Sequence, residues 1–202
     1  MINRPLSVCE TDQEALAALI HIHAPHAQRI LDCTYSKGTM WKGLTGKVFR
    51  TDLYPQKALD TQADCAALPF LDNMFDVIVF DPPHIADGGK NGLMHKRYGS
   101  NTGNNLHLLM DSFLGSAFRV LKPKGVILAK IANGVHAQRF MNWTSEFLWL
   151  ADEYGFTQVD EMIRVRKNVV IDPKWKSVYH VKQSHVYWLA VQLGRYKSEL
   201  DS

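Results

Sequence analysis

The run Phe75-Asp76-Val77-Ile78-Val79-Phe80 is almost continuously apolar and rich in β-branched residues, and it stops abruptly at Asp81-Pro82-Pro83-His84. A run of this kind is expected of a strand covered on both faces, which is the situation of an interior strand in a parallel sheet. Proline cannot continue a central strand, so the chain must turn directly after Asp81. The remaining sequence then has to supply further strands beside this one and helices above and below it.

The flanking segments have that character. Glu10 to His23 carries Leu16, Leu19 and Ile20 behind Thr11 and Asp12, the pattern of a capped amphipathic helix. Pro25 is expected to end it. Arg29 to Cys33 reads as a short buried strand, Thr39 to Leu44 as the start of a short helix, Lys47 to Thr51 as a second strand, and the neighbourhood of Asp64 as a brief third. Leu106 to Leu121 is expected to be helical, with Lys122-Pro123-Lys124-Gly125 turning into a strand from Val126 to Ile131. Val135 to Tyr154 is expected to be a further helix, capped at its C-terminus by Gly155. Thr157 to Val165 and His185 to Gln192 read as the last two strands. Alternation of strands and helices predicts an α/β fold with a mostly parallel sheet covered on both faces.

A length of 202 residues with 46% hydrophobic content predicts one domain, residues 1–202, with a sizeable core. Met1 to Glu10 contains no apolar run, and no segment approaches the roughly 20 apolar residues needed to cross a bilayer. A soluble, cytoplasmic protein with no membrane partner is therefore expected. Cys9, Cys33 and Cys65 lack CxxC spacing, which argues for reduced core thiols over a disulfide framework or a zinc knuckle. His21, His23 and His26 straddle an expected helix end and would point in different directions, so no metal site is expected.

In open parallel sheets, ligands bind at the carboxyl ends of the strands. This sequence places Asp32, Asp52, Asp64 and Asp81 at four successive expected strand ends, where each carboxylate can accept hydrogen bonds from a cationic or hydroxyl-rich ligand. The order of these acids is what gives them weight, because a single aspartate in that position is an ordinary turn former.

Ile30-Leu31-Asp32-Cys33-Thr34-Tyr35-Ser36-Lys37-Gly38-Thr39 resembles the first motif of class I S-adenosylmethionine-dependent methyltransferases. In that family a glycine-rich turn meets the methionine portion of the cofactor, and here Ser36-Lys37-Gly38 stands where Gly-x-Gly is usual. Val48-Phe49-Arg50-Thr51-Asp52 is similar to the second motif, and the segment from Ala63 to Ile78 to the third. Asp81-Pro82-Pro83-His84 matches the [DNS]-P-P-[YFWH] signature of the amino-methyltransferases, among which the chain resembles small DNA adenine-N6 enzymes.

The resemblance implies a Rossmann-like, doubly wound, seven-stranded sheet whose last strand, His185 to Gln192, is antiparallel. It implies S-adenosyl-L-methionine as cofactor, contacted by Asp32, Thr34, Ser36 and Gly38, with Asp52 on the ribose and Asp64 on the adenine amino group. It implies a catalytic set of Asp81, Pro82, Pro83 and His84, and an exocyclic amino group of adenine in DNA as the acceptor. Cytosine-N4 and RNA base methylation use the same four residues and stay open as alternatives, as does a catalytically silent cofactor-binding or nucleic-acid-binding subunit. Methylation of a protein glutamine is favoured by asparagine at position 81, which this chain lacks.

The chemistry suits those residues. The amino nitrogen of adenine is a poor nucleophile because its lone pair is delocalised into the ring. The Asp81 carboxylate and the Pro82 carbonyl can accept its two N–H groups and draw it toward tetrahedral geometry, which is stabilisation by preorganised acceptors. His84 is placed to stack on the target base, which has to be flipped out of a duplex or already single-stranded. Ile85 to Asn105, with five glycines, is expected to be a flexible substrate loop.

Formal charge is +3 overall but uneven. Residues 1–160 hold 15 Lys and Arg against 16 Asp and Glu, and residues 161–202 hold 8 against 4. A basic C-terminal part attracts phosphate. The candidate nucleic-acid contacts are Lys90, Lys96 and Arg97 in the loop, and Arg164, Arg166, Lys174 and Lys176 in the basic region 161–184. Trp41, Trp143, Trp149 and Trp188 are expected in the core. DNA is favoured over RNA as partner, and the sequence leaves oligomeric state open.

Overall fold

The computed structural model describes residues 6–44, 46–54, 58–83, 103–136, 138–166, 181 and 183–194. Its main elements in chain order are β1 (Val8–Cys9), α1 (Asp12–His23), β2 (Ile30–Asp32), β3 (Val48–Asp52), β4 (Thr61–Gln62), β5 (Phe75–Phe80), α2 (Gly103–Val120), β6 (Leu121–Ile131), β7 (Gly134–His136), β8 (Arg139–Met141), α3 (Trp143–Glu153), β9 (Phe156–Val165) and β10 (His185–Leu193). Ten strands form two sheets among the described residues. The larger has eight strands in the order β1-β9-β10-β6-β5-β2-β3-β4, and the smaller is the hairpin β7-β8.

Strands β6, β5, β2, β3 and β4 are mutually parallel. Strand β10 runs antiparallel to both β6 and β9, as expected for the last strand. The sheet has eight strands where seven were expected, because Val8–Cys9 adds a two-residue strand parallel to β9. That segment is too short to show any periodicity of its own.

Side chains alternate across the sheet with a period of two. Val77 and Val79 of β5, Val126 and Leu128 of β6, and Trp188 and Ala190 of β10 pack with Ala15, Leu16 and Leu19 of α1. Ile78 and Phe80, Ile127 and Ala129, and Leu189 and Val191 pack on the other face with Met110, Phe113 and Leu114 of α2 and Phe147 and Leu150 of α3. Phe80 stacks on Phe113 with ring centroids 3.8 Å apart. The middle stretches of β5, β6 and β10 are therefore mainly apolar because helices take both faces of the sheet there.

Helix α1 begins where expected, with a capping box between Thr11 and Glu14. Two expected elements are corrected. The helix placed from Val135 to Tyr154 starts only at Trp143, capped by Asn142, and the chain before it forms the β7-β8 hairpin with its turn at Gln138, φ +63°. Strand β6 starts at Leu121 rather than Val126, and its pairing with β5 shifts register across the Lys122–Gly125 segment. Gly125 is required there, because a Cβ would lie 2.6 Å from Leu121 Cγ and 2.8 Å from the Lys122 carbonyl oxygen. Cys9, Cys33 and Cys65 are buried free thiols. No helix among the described residues is long and apolar enough to cross a membrane. Trp149, expected in the core, is instead 57% exposed on α3.

Candidate active site

The parallel strands bring Asp32, Asp52 and Asp81 to one edge of the sheet, at the carboxyl ends of β2, β3 and β5. Backbone bonds continue past the strands and stitch that edge together. Cys33 N–H donates to the Val79 carbonyl at 3.2 Å, and Tyr35 N–H to that of Thr51 at 3.0 Å. The Asp81 N–H donates to Thr34 Oγ1 at 2.7 Å, joining the tip of β5 to the turn after β2.

That turn is held by two carboxylates. Asp32 is completely buried, and it accepts hydrogen bonds from the Thr34 N–H at 3.0 Å and from the Trp41 indole N–H at 2.6 Å. Burial pushes its carboxyl up to about 7, even though the Trp41 and Thr34 donors pull the other way; the neighbouring Asp81 and Asp52 charges add to the rise. Asp52 accepts the Ser36 N–H on one oxygen at 2.8 Å and the Tyr54 N–H on the other at 2.9 Å. Ser36 sits at φ +49° and Gly38 at φ +61°, left-handed conformations that glycine adopts at least cost. The serine thus occupies a glycine-like backbone position, and the Asp52 carboxylate holds it there. Tyr35 folds its ring over Gly38, where any Cβ would collide with it.

Asp81 is bound to a residue that local sequence patterns passed over. Lys130 Nζ donates to Asp81 Oδ2 at 2.9 Å and to Asp12 Oδ2 at 3.2 Å. The Trp188 indole N–H donates to Asp12 Oδ1 at 3.1 Å, and Arg164 Nε lies 3.5 Å from the same oxygen. Among the described residues no hydrogen bond reaches Asp81 Oδ1, which leaves one carboxylate oxygen free to accept. The signal for Lys130 was present in the sequence as the one charge in the run from Val126 to Ile131.

The other expected site residues divide by position. Pro82 is buried and Pro83 partly so, directly behind Asp81. Asp64 is not a strand end: β4 stops at Gln62, and Asp64 is an exposed cap whose carboxylate accepts the Ala66 N–H at 2.9 Å. A short extended stretch was read one turn too late, since capping and strand-ending aspartates look alike locally. Arg164 points into the Asp12 cluster, whereas Arg166 is exposed just past the end of β9. Strand β9 runs the same way as β6, so Arg166 belongs to the same edge as Asp81. His84, Lys90, Lys96, Arg97, Lys174 and Lys176, with most of the 85–105 loop, lie outside the described residues. His23 pairs with Asp160 at 2.9 Å, and no cluster of metal-ligating groups occurs among the described residues. A groove of about 1180 Å³ runs past Ile30, Val48 and Phe75 to Tyr35 and Trp41, and Asp81 does not line it.

No family model and no curated protein matches the sequence. Solved structures do match in their backbone. A 1,6-didemethyltoxoflavin-N1-methyltransferase from Burkholderia thailandensis superposes with a TM-score of 0.57 at 16% identity, covering 91% of this chain and 79% of that one. A SAM-dependent methyltransferase from Methanosarcina mazei gives 0.55 at 12% identity, over 87% of this chain and 96% of that one. The fold is Rossmann-like, of the methyltransferase type. The same Rossmann-like frame relates the chain to TrmN from Thermus thermophilus, with a TM-score of 0.55 at 16% identity over 90% of this chain. The chain spans 48% of TrmN, and 52% of a candidate DNA modification methylase from the same organism. A shared Rossmann-like frame does not select a substrate, so function has to be argued from the site.

Proposed function

We propose that this chain is an S-adenosylmethionine-dependent methyltransferase acting on an exocyclic amino group, that of adenine in DNA. The observation that carries this reading is the Asp81 carboxylate on the tip of β5, with one oxygen fixed and one free, tied through Thr34 to the turn that the sequence motifs associate with the cofactor.

The donor chemistry fits the cofactor. Each Asp52 oxygen is engaged by a single backbone amide. A carboxylate has about four lone-pair positions, so acceptor capacity remains for the ribose hydroxyls. The backbone of Thr34 to Gly38 would lie against the methionine portion, Asp32 would act by shaping that turn, and Asp64 is an exposed acceptor for the adenine amino group. When bound, S-adenosylmethionine supplies an electrophilic methyl group on a sulfonium.

The chain's own residues supply the rest. Asp81 Oδ1 and the Pro82 carbonyl accept the two N–H groups of the substrate amine and free its lone pair. Proline fixes φ at this point, so the carbonyl keeps its direction. His84 stacks on the base, and Arg166, with Lys90, Lys96, Arg97, Lys174 and Lys176, holds phosphate. The Burkholderia neighbour is by its name a 1,6-didemethyltoxoflavin-N1-methyltransferase, so methylation of a free small molecule is the second reading.

The test incubates the protein with methyl-labelled cofactor and separate pools of DNA, RNA, protein and small heterocycles, followed by mass spectrometry of the products. N6-methyladenine in the DNA pool is the expected result. Label in another pool alone overturns the DNA assignment. An Asp81→Ala variant is expected to bind cofactor and lose transfer; an unchanged rate would remove Asp81 from the catalytic role.

A further inference from the structure

We infer that Lys130 is a positioning residue for Asp81: its ammonium fixes one carboxylate oxygen and so leaves the other presented to the substrate amine. This rests on the methyl-transfer reading above and assigns that site a residue outside its motif.

Lys130 stands in the apolar run Val126 to Ile131, where the five other side chains are buried. Only 13% of its own side chain is exposed. A lysine in such a place costs desolvation energy that only close, well-formed partners offset. Its partners are two carboxylates, Asp81 at 2.9 Å and Asp12 at 3.2 Å, together with the face of Trp188 at 5.9 Å. Arg164, Asp12, Lys130 and Asp81 thereby form a row of alternating charges running from β9 through the start of α1 and β6 to the tip of β5.

Three of the four are anchored elsewhere. Asp12 is the first residue of α1 and takes the Trp188 indole N–H on its other oxygen. Lys130 and Arg164 are on strands in the middle of the sheet's hydrogen-bond ladder. Asp81 alone stands past the end of its strand, so its carboxylate has no direction imposed by the ladder. Two contacts impose it: Thr34 Oγ1 on the backbone N–H and Lys130 Nζ on Oδ2. An acceptor held in this way requires no reorientation when the amine arrives, and charge-assisted contacts suit that role. A purely structural ion pair predicts something else, namely a loss of stability with no effect on turnover beyond it.

The experiment compares full-length wild type, K130M, K130R, D81N and K130M/D81N in methyl transfer to the pool that wild type labels. Binding of S-adenosylhomocysteine and thermal midpoint are measured alongside. K130M is expected to lower kcat about 100-fold, with KM and S-adenosylhomocysteine affinity changed less than about threefold. K130R, which also donates to a carboxylate, is expected to recover turnover to within about tenfold of wild type. In the D81N background K130M is expected to change the rate less than about threefold, because the charge-assisted bond through which Lys130 acts is absent there. The inference is overturned if K130M turns over like wild type, or if the K130M and D81N losses multiply. Should K130M fail to fold with two carboxylates left unpaired, K130M/D12N removes one of them and the same comparison is made in that background. A wild type that labels no pool overturns the methyl-transfer reading itself, whereas an active wild type with a fully active K130M overturns only the role of Lys130.

Discussion

Thr34 Oγ1 accepts the backbone N–H of Asp81 at 2.7 Å, and this contact joins the turn after β2 to the tip of β5. It couples the two parts on which the proposed chemistry depends. Thr34→Val keeps the shape and deletes the acceptor. It is expected to destabilise the fold by about 1–2 kcal/mol in urea unfolding and to lower transfer about tenfold, with Thr34→Ser restoring both. A T34V variant with wild-type turnover would show that the joint does not matter for catalysis.

Asp32 makes stability depend on pH. Its carboxyl is raised from 3.8 to about 7, chiefly by burial, against the pull of Trp41 and Thr34. The folded pKa lies above the unfolded one, so the folded state holds a proton that the unfolded state has released between those values. The stability tied to this group is full below about pH 4 and is lost as pH rises through about 7. Comparing urea midpoints of wild type and Asp32→Asn across pH 4 to 8 isolates the effect, and a constant difference between them would contradict it.

Trp41 supplies one of the two donors that Asp32 receives, and that donor favours the charged form. Trp41→Phe is expected to cost roughly 1–3 kcal/mol, more at pH 8 than at pH 5. Equal losses at both pH values would mean that the indole contributes packing alone.

Gly125 leaves no room for a side chain, and one of the atoms in the way is the Lys122 carbonyl oxygen. That oxygen belongs to the backbone, so it cannot swing aside as the end of a flexible side chain could. Gly125→Ala is expected to destabilise by about 1–3 kcal/mol, read as a lower thermal midpoint; an unshifted midpoint would place the clash elsewhere.

Arg166 is exposed at the active edge, and its backbone N–H is bonded to the Ser184 carbonyl at 2.7 Å. If it meets phosphate, Arg166→Ala weakens DNA binding equally across sequences and reduces the slope of log affinity against log salt by about 1. A titration with unchanged slope would remove it from the nucleic-acid surface.

Strand β5 and the turn behind it were legible because their causes are local. Burial on both faces demands an unbroken apolar run, and proline forbids continuation. The start of α1 was legible for the same reason, since Thr11 and Glu14 cap one another within a single turn. The β7-β8 hairpin was misread as helix because it runs straight into the helical stretch from Trp143, and the Gln138 turn that excludes a helix carries no distinctive residue. Strand β1 was missed because two residues cannot display a period.

What the order of residues determined by itself was most of the large sheet's strands, the succession of Asp32, Asp52, Asp64 and Asp81, and the Asp81-Pro82-Pro83 tip. Which of those aspartates is buried, which caps a turn and which keeps an open oxygen was decided only in three dimensions. Lys130 meets Asp81 across 49 positions, and Asp12 meets Trp188 across 176. Pairings at those separations exist because β10, β6 and β5 are neighbours in one sheet, and neighbourhood in a sheet follows from how the whole chain buries its apolar faces, which no short stretch of sequence encodes.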